Sequence, residues 1–209
     1  MEYMAGLDDN AFDLAIVDPP YGINADKKNN GENSDNHKRM SLAHINEFKK
    51  TSWDNAIPSD KYFSELKRVS NHQIIWGANY FGIKGGYIFW DKEVTMPTYS
   101  DGELAYCSFL NSVKKYKFIW HGMIQGDMGN KEKRIHPTQK PVRLYDWLLQ
   151  NYAKPEMKIL DTHLGSGSIA IAAHYFGCDF VGCEIDKDYF DSAQKRIDKE
   201  TRQIAFKYA

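Results

Sequence analysis

The sequence predicts an α/β protein with a mixed, mostly parallel sheet that is covered by helices on both faces. Strand-like and helical segments alternate in the C-terminal half of the chain, which is typical of a parallel sheet with crossover helices. One strand leads through a glycine-rich turn directly into a helix. Another strand ends at two consecutive prolines, which cannot continue a sheet ladder because they lack N–H donors.

The length and composition are those of a globular protein. A chain of 209 residues predicts a single domain over residues 1–209, since domains average about 150 residues. The apolar runs are far shorter than the roughly 20 residues that a membrane span needs. Three cysteines without a Cys-x-x-Cys pair suit a reducing compartment. We therefore expect a soluble, cytoplasmic protein that binds neither a membrane nor a metal.

The predicted elements of the N-terminal half are short. A strand at 12–17 stops at the two prolines, and residues 23–58 form a long, polar, mobile loop of the kind that is usually functional or disordered. A helix at 61–69 precedes strands that are rich in β-branched and aromatic residues, at 73–77, 86–90, 103–109 and 116–120. Tryptophans in or beside these strands are predicted to be core residues: Trp76, Trp90 and Trp120.

The C-terminal half has the clearer periodicity. A glycine-rich loop at 122–130 is followed by a helix at 141–152, with Leu144, Trp147 and Leu148 on one face. The remaining elements alternate between strand and helix, with strands at 157–160 and 180–183 and helices at 166–176 and 187–204.

The glycine-rich turn is the first motif with chemical content. It contains Asp161, His163, Gly165, Ser166 and Gly167. Such a turn lets a ligand approach the backbone and meet the free N–H groups of the helix start. Glu184 ends the next strand, 23 positions after Asp161, where a carboxylate can accept hydrogen bonds from ribose hydroxyls. Alone, a Gly-x-Gly turn is as often only a tight connection. Ala170 replaces the third glycine of a dinucleotide fingerprint, which favours S-adenosylmethionine.

The second motif is the tetrapeptide Asp18-Pro19-Pro20-Tyr21. An exocyclic amine carries two N–H donors, so holding it requires two acceptors, which the Asp18 carboxylate and a proline carbonyl can supply. The Tyr21 ring offers a face for base stacking. Taken alone, the tetrapeptide could also be an ordinary turn after a strand.

Together these motifs resemble the β-group of DNA amino-methyltransferases, which methylate adenine N6 or cytosine N4. A third segment, His136-Pro-Thr-Gln-Lys-Pro141, is also similar to that family. The resemblance implies a Rossmann-like, S-adenosylmethionine-dependent methyltransferase fold with a circularly permuted motif order. It implies catalytic roles for Asp18, Pro19, Pro20 and Tyr21. It implies that the cofactor is bound by the glycine-rich turn (Asp161, His163, Gly165, Ser166, Gly167), by Glu184 and Ile185, and by Thr138, Gln139 and Lys140.

The expected activity is site-specific transfer of a methyl group to adenine N6 in double-stranded DNA, because Asp-Pro-Pro-Tyr is the commoner adenine form within the resemblance. An N4-cytosine enzyme and a non-catalytic subunit that binds cofactor or DNA remain alternatives. Cytosine C5 chemistry is excluded, since none of the three cysteines follows a proline. A restriction-modification role is expected, and a homodimer is an option.

Two segments are predicted to face DNA. Residues 111–135 are a short target-recognition segment. The loop at 23–58 is a lid whose basic residues order on binding: Lys38, Arg39, Lys49 and Lys50. The resemblance also leads us to expect a strand with an acidic residue before the strand at 12–17. Either the cofactor pocket is built differently here, or residues 203–208 fill the gap, or the chain starts inside a longer product.

Overall fold

The computed structural model describes residues 2–25, 52–95, 100–121 and 124–202. Within these ranges the helices are α1 (Glu2–Ala5), α2 (Asp60–Val69), α3 (Ala78–Phe81), α4 (Val142–Tyr152), α5 (Ser168–Phe176) and α6 (Lys187–Arg202). The strands are β1 (Phe12–Val17), β2 (Ser70–Trp76), β3 (Gly86–Asp91), β4 (Gly102–Cys107), β5 (Val113–Lys117), β6 (Trp120–His121), β7 (Ile124–Gln125), β8 (Lys158–Asp161) and β9 (Asp179–Gly182).

Seven of these strands form one sheet in the order β5-β3-β4-β2-β1-β8-β9. Strand β4 runs antiparallel to β2 and β3, whereas the other neighbouring pairs are parallel. Strands β6 and β7 pair separately as a small antiparallel ribbon. The predicted mixed, mostly parallel sheet is confirmed.

Helices cover both faces of the sheet, as the alternation of side chains along β1 shows. Leu14 and Ile16 pack into a core with residues of α4 and α5. Ala15 and Val17 point the other way, into a second core with residues of α1 and α2. The predicted arrangement with helices on both faces is therefore confirmed. The buried positions of Trp76, Trp90 and Trp120 confirm their predicted core placement.

The sheet places the two motifs side by side. Strands β1 and β8 are parallel neighbours, with Leu14 opposite Ile159 and Ala15 opposite Leu160. The carboxyl ends of parallel strands meet at one edge, which is where ligands bind in open α/β sheets. Asp18 directly follows β1, and Asp161 is the last residue of β8. Both carboxylates therefore lie at the same edge of the sheet.

Some predicted boundaries were wrong. The strand predicted at 116–120 is β5 at Val113–Lys117, and the two-residue strand β6 follows it separately. β5 is an edge strand with exposed lysines, and such strands lack the apolar alternation from which boundaries are predicted. The loop predicted at 122–130 contains β7. None of the helices in the described ranges has the length and apolar character that a membrane crossing requires.

Candidate active site

A cavity of about 790 Å³ lies at the carboxyl edge of the sheet, beside the end of β1. All four residues of the Asp-Pro-Pro-Tyr turn line it, and so do Thr138, Gln139 and Lys140. Residues of β3 and β4 also line it, among them Phe89 and Glu103. The structure thus brings two of the predicted motifs together around one cavity.

A buried carboxylate holds the Asp-Pro-Pro-Tyr turn in place. Asp54 is 1% exposed, and its Oδ1 accepts hydrogen bonds from the backbone amides of Tyr21 at 2.7 Å and Gly22 at 2.8 Å. Its Oδ2 accepts a third, from the amide of Ala25 at 2.8 Å, and its carbonyl accepts one from the amide of Asn24 at 3.0 Å. One aspartate therefore fixes the backbone that follows the tetrapeptide.

The Asp18 carboxylate receives a donor on each oxygen. The Tyr21 hydroxyl donates to Oδ1 at 2.5 Å, and Lys140 Nζ donates to Oδ2 at 2.5 Å. The same ammonium lies 2.9 Å from Glu103 Oε2, and Lys92 Nζ lies 2.6 Å from Glu103 Oε1. Two carboxylates and two ammonium groups thus form one network beside the cavity.

Burial disfavours the charged forms of the groups in this network, and their oppositely charged neighbours stabilise those forms. Burial raises the pKa of Asp18 above its ordinary value, Lys140 opposes that rise, and Glu103 adds to it. Burial disfavours the charged form of Lys140, but Asp18 and Glu103 outweigh it and raise the pKa of Lys140. For Glu103, Lys140 and Lys92 outweigh burial and hold its pKa far below the usual range. Glu103 and Lys140 are therefore ionised at neutral pH.

The Tyr21 ring is already stacked on a neighbouring aromatic ring. Its centroid lies 4.9 Å from that of Tyr80, with 15° between the planes, and Phe81 meets it edge-on at 6.0 Å. Gly77, with φ of +80°, leaves room for the ring, because a Cβ there would lie 2.3 Å from a Tyr21 ring carbon. Tyr80 is 43% exposed and lines the cavity, so the ring that covers one face of Tyr21 is itself open to solvent.

The glycine-rich turn joins β8 to α5 and lies outside the lining of this cavity. Gly165 and Gly167 have φ of +53° and +74°, and a Cβ on Gly167 would lie 2.9 Å from Ile197 Cδ1. The backbone amide of Gly165 donates to Glu184 Oε2 at 2.9 Å, and that of Asp186 donates to Oε1 at 3.0 Å. The turn and the end of β9 are thereby fixed to each other.

The segment before α4 connects the two motifs through one residue. The Lys140 ammonium binds Asp18, whereas the Lys140 carbonyl accepts a hydrogen bond from Ser168 Oγ at 2.7 Å, at the start of α5. Gln139 braces the segment, since its carbonyl accepts from Trp120 Nε1 at 2.7 Å. Thr138 Oγ1 lies 3.2 Å from His136 Nδ1. The side chain of Lys140, which we predicted to close over the cofactor, contacts Asp18, and its cofactor role stays a prediction.

Comparison with known proteins agrees with these motifs. The profile of the N6/N4 DNA methylase family matches residues 45–195, well over half of the chain. The chain belongs to this family. Relatives include the type II methyltransferase M.HpaI of Haemophilus parainfluenzae, 23% identical over 94% of this chain and 71% of the relative. Another is M2.MboI of Moraxella bovis, also 23% identical, over 96% of this chain and 86% of the relative.

Solved methyltransferases share the fold. The structure of M1.HpyAVI in complex with S-adenosylmethionine matches with a TM-score of 0.53 and 21% identity, over 93% of this chain and 92% of that one. The cytosine-N4-specific PvuII DNA methyltransferase matches with a TM-score of 0.57 and 11% identity, over 95% of this chain and 86% of that one. The predicted Rossmann-like methyltransferase fold and the resemblance to β-group DNA amino-methyltransferases are confirmed.

The methylase has side chains at the glycine-rich turn that fit S-adenosylmethionine. Asp161 is 2% exposed and accepts a hydrogen bond from the backbone amide of His163 at 2.9 Å. Burial, followed by the repulsion of Asp18, raises the pKa of Asp161 to about 8, and a cationic ligand would favour its ionised form. Ile185 is 98% exposed next to Glu184, so it offers an apolar surface that a purine ring can cover.

Two other predicted cofactor residues of the methylase have their side chains engaged elsewhere. His163 Nδ1 lies 3.0 Å from Thr162 Oγ1, and burial lowers its pKa to about 4, so the ring is neutral. The Ser166 hydroxyl is buried 3.1 Å from Ser168 Oγ. Their backbones still shape the turn, because the carbonyl of Ser166 accepts from Arg196 at 2.8 Å. The cofactor-binding roles we predicted for these two residues stay predictions.

Sequence reasoning missed three residues of the methylase site: Asp54, Glu103 and Tyr80. Each acts through contacts with residues far away in the chain, and the local pattern gives little sign of them. A carboxylate in the Trp-Asp pair that ends the polar loop was the signal available for Asp54. The residues predicted to face DNA, Lys38, Arg39, Lys49 and Lys50, lie outside the described residues.

Proposed function

We propose that the protein is a site-specific DNA methyltransferase that transfers a methyl group from S-adenosylmethionine to adenine N6. The observation that carries this proposal is the placement of Asp18 at the end of β1, next to Pro19 and Pro20 and on the wall of a cavity of about 790 Å³. The Asp18 carboxylate and a proline carbonyl are two acceptors, and the exocyclic amine of adenine has two N–H donors to match them.

The residues of this chain act mainly by positioning. The base is turned out of the duplex into the cavity, as enzymes that modify bases require. Acceptors on both amine hydrogens orient the nitrogen, and such positioning can supply about 7–11 kcal/mol of a reaction barrier. S-adenosylmethionine supplies an electrophilic methyl group on a sulfonium. Methyl transfer to the amine would leave the S–C electron pair on sulfur as the neutral thioether, and Asp18 or water would accept the surplus amine proton.

Adenine is favoured over cytosine by the Asp-Pro-Pro-Tyr sequence, and N4-cytosine methylation remains the second candidate. An N4 enzyme would hold its amine with the same two acceptors, so the turn alone does not separate the two bases. The non-catalytic alternative is disfavoured by the number of buried contacts that maintain the turn. Asp54 and Lys140, both nearly inaccessible to solvent, are committed to it.

The DNA contacts also belong to this proposal. The described ends of the segment 23–58 border the cavity, since Ala25 and Trp53 line it, and Trp120 of the segment 111–135 lines it too. We expect Lys38, Arg39, Lys49 and Lys50 to neutralise phosphates of double-stranded DNA, which would make affinity fall as salt rises. The curated relatives M.HpaI and M2.MboI are type II methyltransferases, and we expect this protein to act in a restriction-modification system in the cytoplasm.

The deciding experiment is transfer of labelled methyl from S-adenosylmethionine to amplified, and therefore unmethylated, duplex genomic DNA. Nucleoside analysis of the product should show N6-methyladenine. N4-methylcytosine instead would overturn the base assignment and keep the family chemistry. No transfer by a protein that binds the cofactor, tested also with single-stranded DNA and RNA, would overturn the proposed function.

A further inference from the structure

Both oxygens of the catalytic carboxylate are occupied by donors from the protein itself. Oδ1 of Asp18 takes the Tyr21 hydroxyl and Oδ2 takes Lys140 Nζ, each at 2.5 Å. Burial, with Asp18 and Glu103 beside it, raises the pKa of Tyr21, so its hydroxyl stays a donor. An amine that approaches Asp18 therefore meets a carboxylate whose two oxygens are already engaged. Each oxygen can accept a second hydrogen bond, but the amine is held more firmly if one of the present donors moves to another acceptor.

Glu103 is that second acceptor. It projects from β4, and its side chain is about one-fifth exposed, at 21%. Its Oε2 lies 2.9 Å from Lys140 Nζ and 3.3 Å from the Tyr21 hydroxyl. The Tyr21 hydroxyl thus lies between two carboxylates, with the short contact to Asp18 and the long contact to Glu103.

We propose that Glu103 is a positioning residue that takes over the Tyr21 hydroxyl when the amine of the target base binds Asp18. The hydroxyl turns from Asp18 Oδ1 to Glu103 Oε2, and no covalent bond forms or breaks. Lys140 stays between the two carboxylates. This inference rests on the proposed function, because it assigns a partner residue to the same catalytic turn.

The charge of Glu103 suits this role. Lys92 binds its other oxygen at 2.6 Å, which leaves Oε2 facing Tyr21 and Lys140. A charged acceptor forms shorter and stronger hydrogen bonds than a neutral one, so a carboxylate can draw the hydroxyl away from another carboxylate. A glutamine at this position would have only a neutral carbonyl oxygen to offer.

A double-mutant cycle separates this role from a merely structural one. Glu103→Gln should lower the single-turnover methyl transfer rate about tenfold, with cofactor affinity unchanged, because the Tyr21 hydroxyl then stays on Asp18. In a Tyr21→Phe background, which has no hydroxyl to move, the same change should cost less than about threefold, since residues that act together are non-additive. Equal losses in both backgrounds would overturn the proposal.

Glu65→Gln is the matched control. Glu65 is also a glutamate bound by a basic side chain, Arg68, but it lies on α2 and away from the cavity. Its replacement should leave the transfer rate unchanged. A loss as large as that of Glu103→Gln would mean that any broken ion pair slows the enzyme, and the assignment of Glu103 would fail.

A titration without DNA or cofactor tests the network independently of activity. The charged and titratable groups that act on Asp18 or feel its charge are Lys140, Glu103, Tyr21, Asp161, Tyr62 and Tyr145. Removing a neighbouring negative charge should lower the pKa of Asp18, and removing a positive one should raise it. In carbon-13 NMR of the aspartate carboxyls, assigned with Asp18→Asn, Glu103→Gln should therefore lower this pKa and Lys140→Gln should raise it.

The outcomes are distinguishable. An Asp18 pKa that is unchanged in Glu103→Gln would overturn the coupling between Asp18 and Glu103. If Lys140→Gln folds poorly, Lys140→Arg takes its place; this variant keeps the charge, so its Asp18 pKa should equal that of the wild type. If the Asp18 pKa falls in Glu103→Gln and rises in Lys140→Gln, but the wild type transfers no methyl group, the charge network is supported and the proposed function is refuted. Transfer by the wild type with an additive cycle would preserve the function and refute the role of Glu103.

Discussion

Two aspartates at the same edge of the sheet have opposite surroundings. Asp18 follows β1 and is contacted by a tyrosine hydroxyl and a lysine ammonium. Asp161 ends β8 and accepts its hydrogen bond from a backbone amide. Burial raises the pKa of both carboxyls, but Lys140 opposes that rise strongly at Asp18 and only as the least of the causes at Asp161.

This difference indicates how the two halves of the site work. The proposed catalytic half has its counter-charge built into the protein, in the form of Lys140. The cofactor half has a buried carboxyl and the nearly fully exposed Ile185, which together suit a ligand that is both cationic and aromatic. On our proposal, cofactor binding completes one half, whereas the entry of the base rearranges hydrogen bonds in the other.

The largest effect is expected from replacing Asp18, which should change methyl transfer and leave cofactor binding nearly unchanged. Asp18→Ala should reduce methyl transfer by at least about 100-fold, the scale seen when a group that holds the reacting atoms is removed. Affinity for S-adenosylmethionine, measured by calorimetry, should stay within about threefold, since the predicted cofactor residues Asp161, Glu184 and Ile185 lie at or just after the ends of β8 and β9.

Asp13→Ala is the control for this change. Asp13 is on the same strand, at its far end, where its Oδ2 accepts a hydrogen bond from the backbone amide of Lys158 at 2.8 Å. It should leave transfer unchanged. If Asp18→Ala abolished cofactor binding while transfer per bound cofactor persisted, the assignment of the two halves would be reversed.

The next largest effect is expected in the pH dependence of cofactor affinity, through the protonation of Asp161. With its pKa raised to about 8, this carboxyl is largely protonated at pH 6.5 in the free protein. A bound cation favours the ionised form, so binding should release a proton, and affinity should rise with pH up to about 8, by at most about tenfold per pH unit. Calorimetry in buffers of different ionisation enthalpy measures the released proton directly.

Asp161→Asn sharpens this comparison. The amide cannot ionise, so the variant should bind the cofactor about tenfold or more weakly at pH 8, where the wild type has its charge. The proton release and the pH dependence assigned to this carboxyl should disappear. A wild type whose affinity is the same at pH 6.5 and pH 8 would show that Asp161 does not face the cationic part of the cofactor.

The sequence predicted the sheet and the placement of both aspartates because these depend on local patterns. Apolar runs identify the strands, and the residue that follows a parallel strand lies at a known edge of the sheet. Strand β5 was misplaced because its lysines give no such pattern. The order of catalytic and glycine-rich motifs was likewise readable, because each motif is contiguous.

The contacts that complete the site could not be predicted in this way. Lys140 and Asp18 are 122 positions apart, and Glu103 is 82 positions from Tyr21. No periodicity links such pairs, since their meeting depends on the strand order and on the path of the segment before α4. The same limit applies to Asp54, whose side chain reaches back 33 positions to the amide of Tyr21.

The smallest expected effect tests how firmly the catalytic half is set. Asp54→Ala removes the acceptor of three part-buried backbone amides, at a cost below the ~1–3 kcal/mol that a fully buried, unpaired amide carries. Asp54→Asn can keep the two bonds to Oδ1 but turns an N–H group toward the Ala25 amide. Melting temperature and transfer rate should therefore fall in the order wild type, Asn, Ala.

The comparison of the Asp18 and Asp161 surroundings predicts that the loss of activity in the Asp54 variants comes from the proposed catalytic half alone. The transfer rate should fall several-fold in Asp54→Asn, and cofactor affinity should be unchanged, because Asp54 contacts the turn after β1 and not the glycine-rich turn. A fall in cofactor affinity that matches the fall in transfer would show that the two halves are set together. Lys140 joins Asp18 to the start of α5, so its contacts would then be the first to remove by mutation.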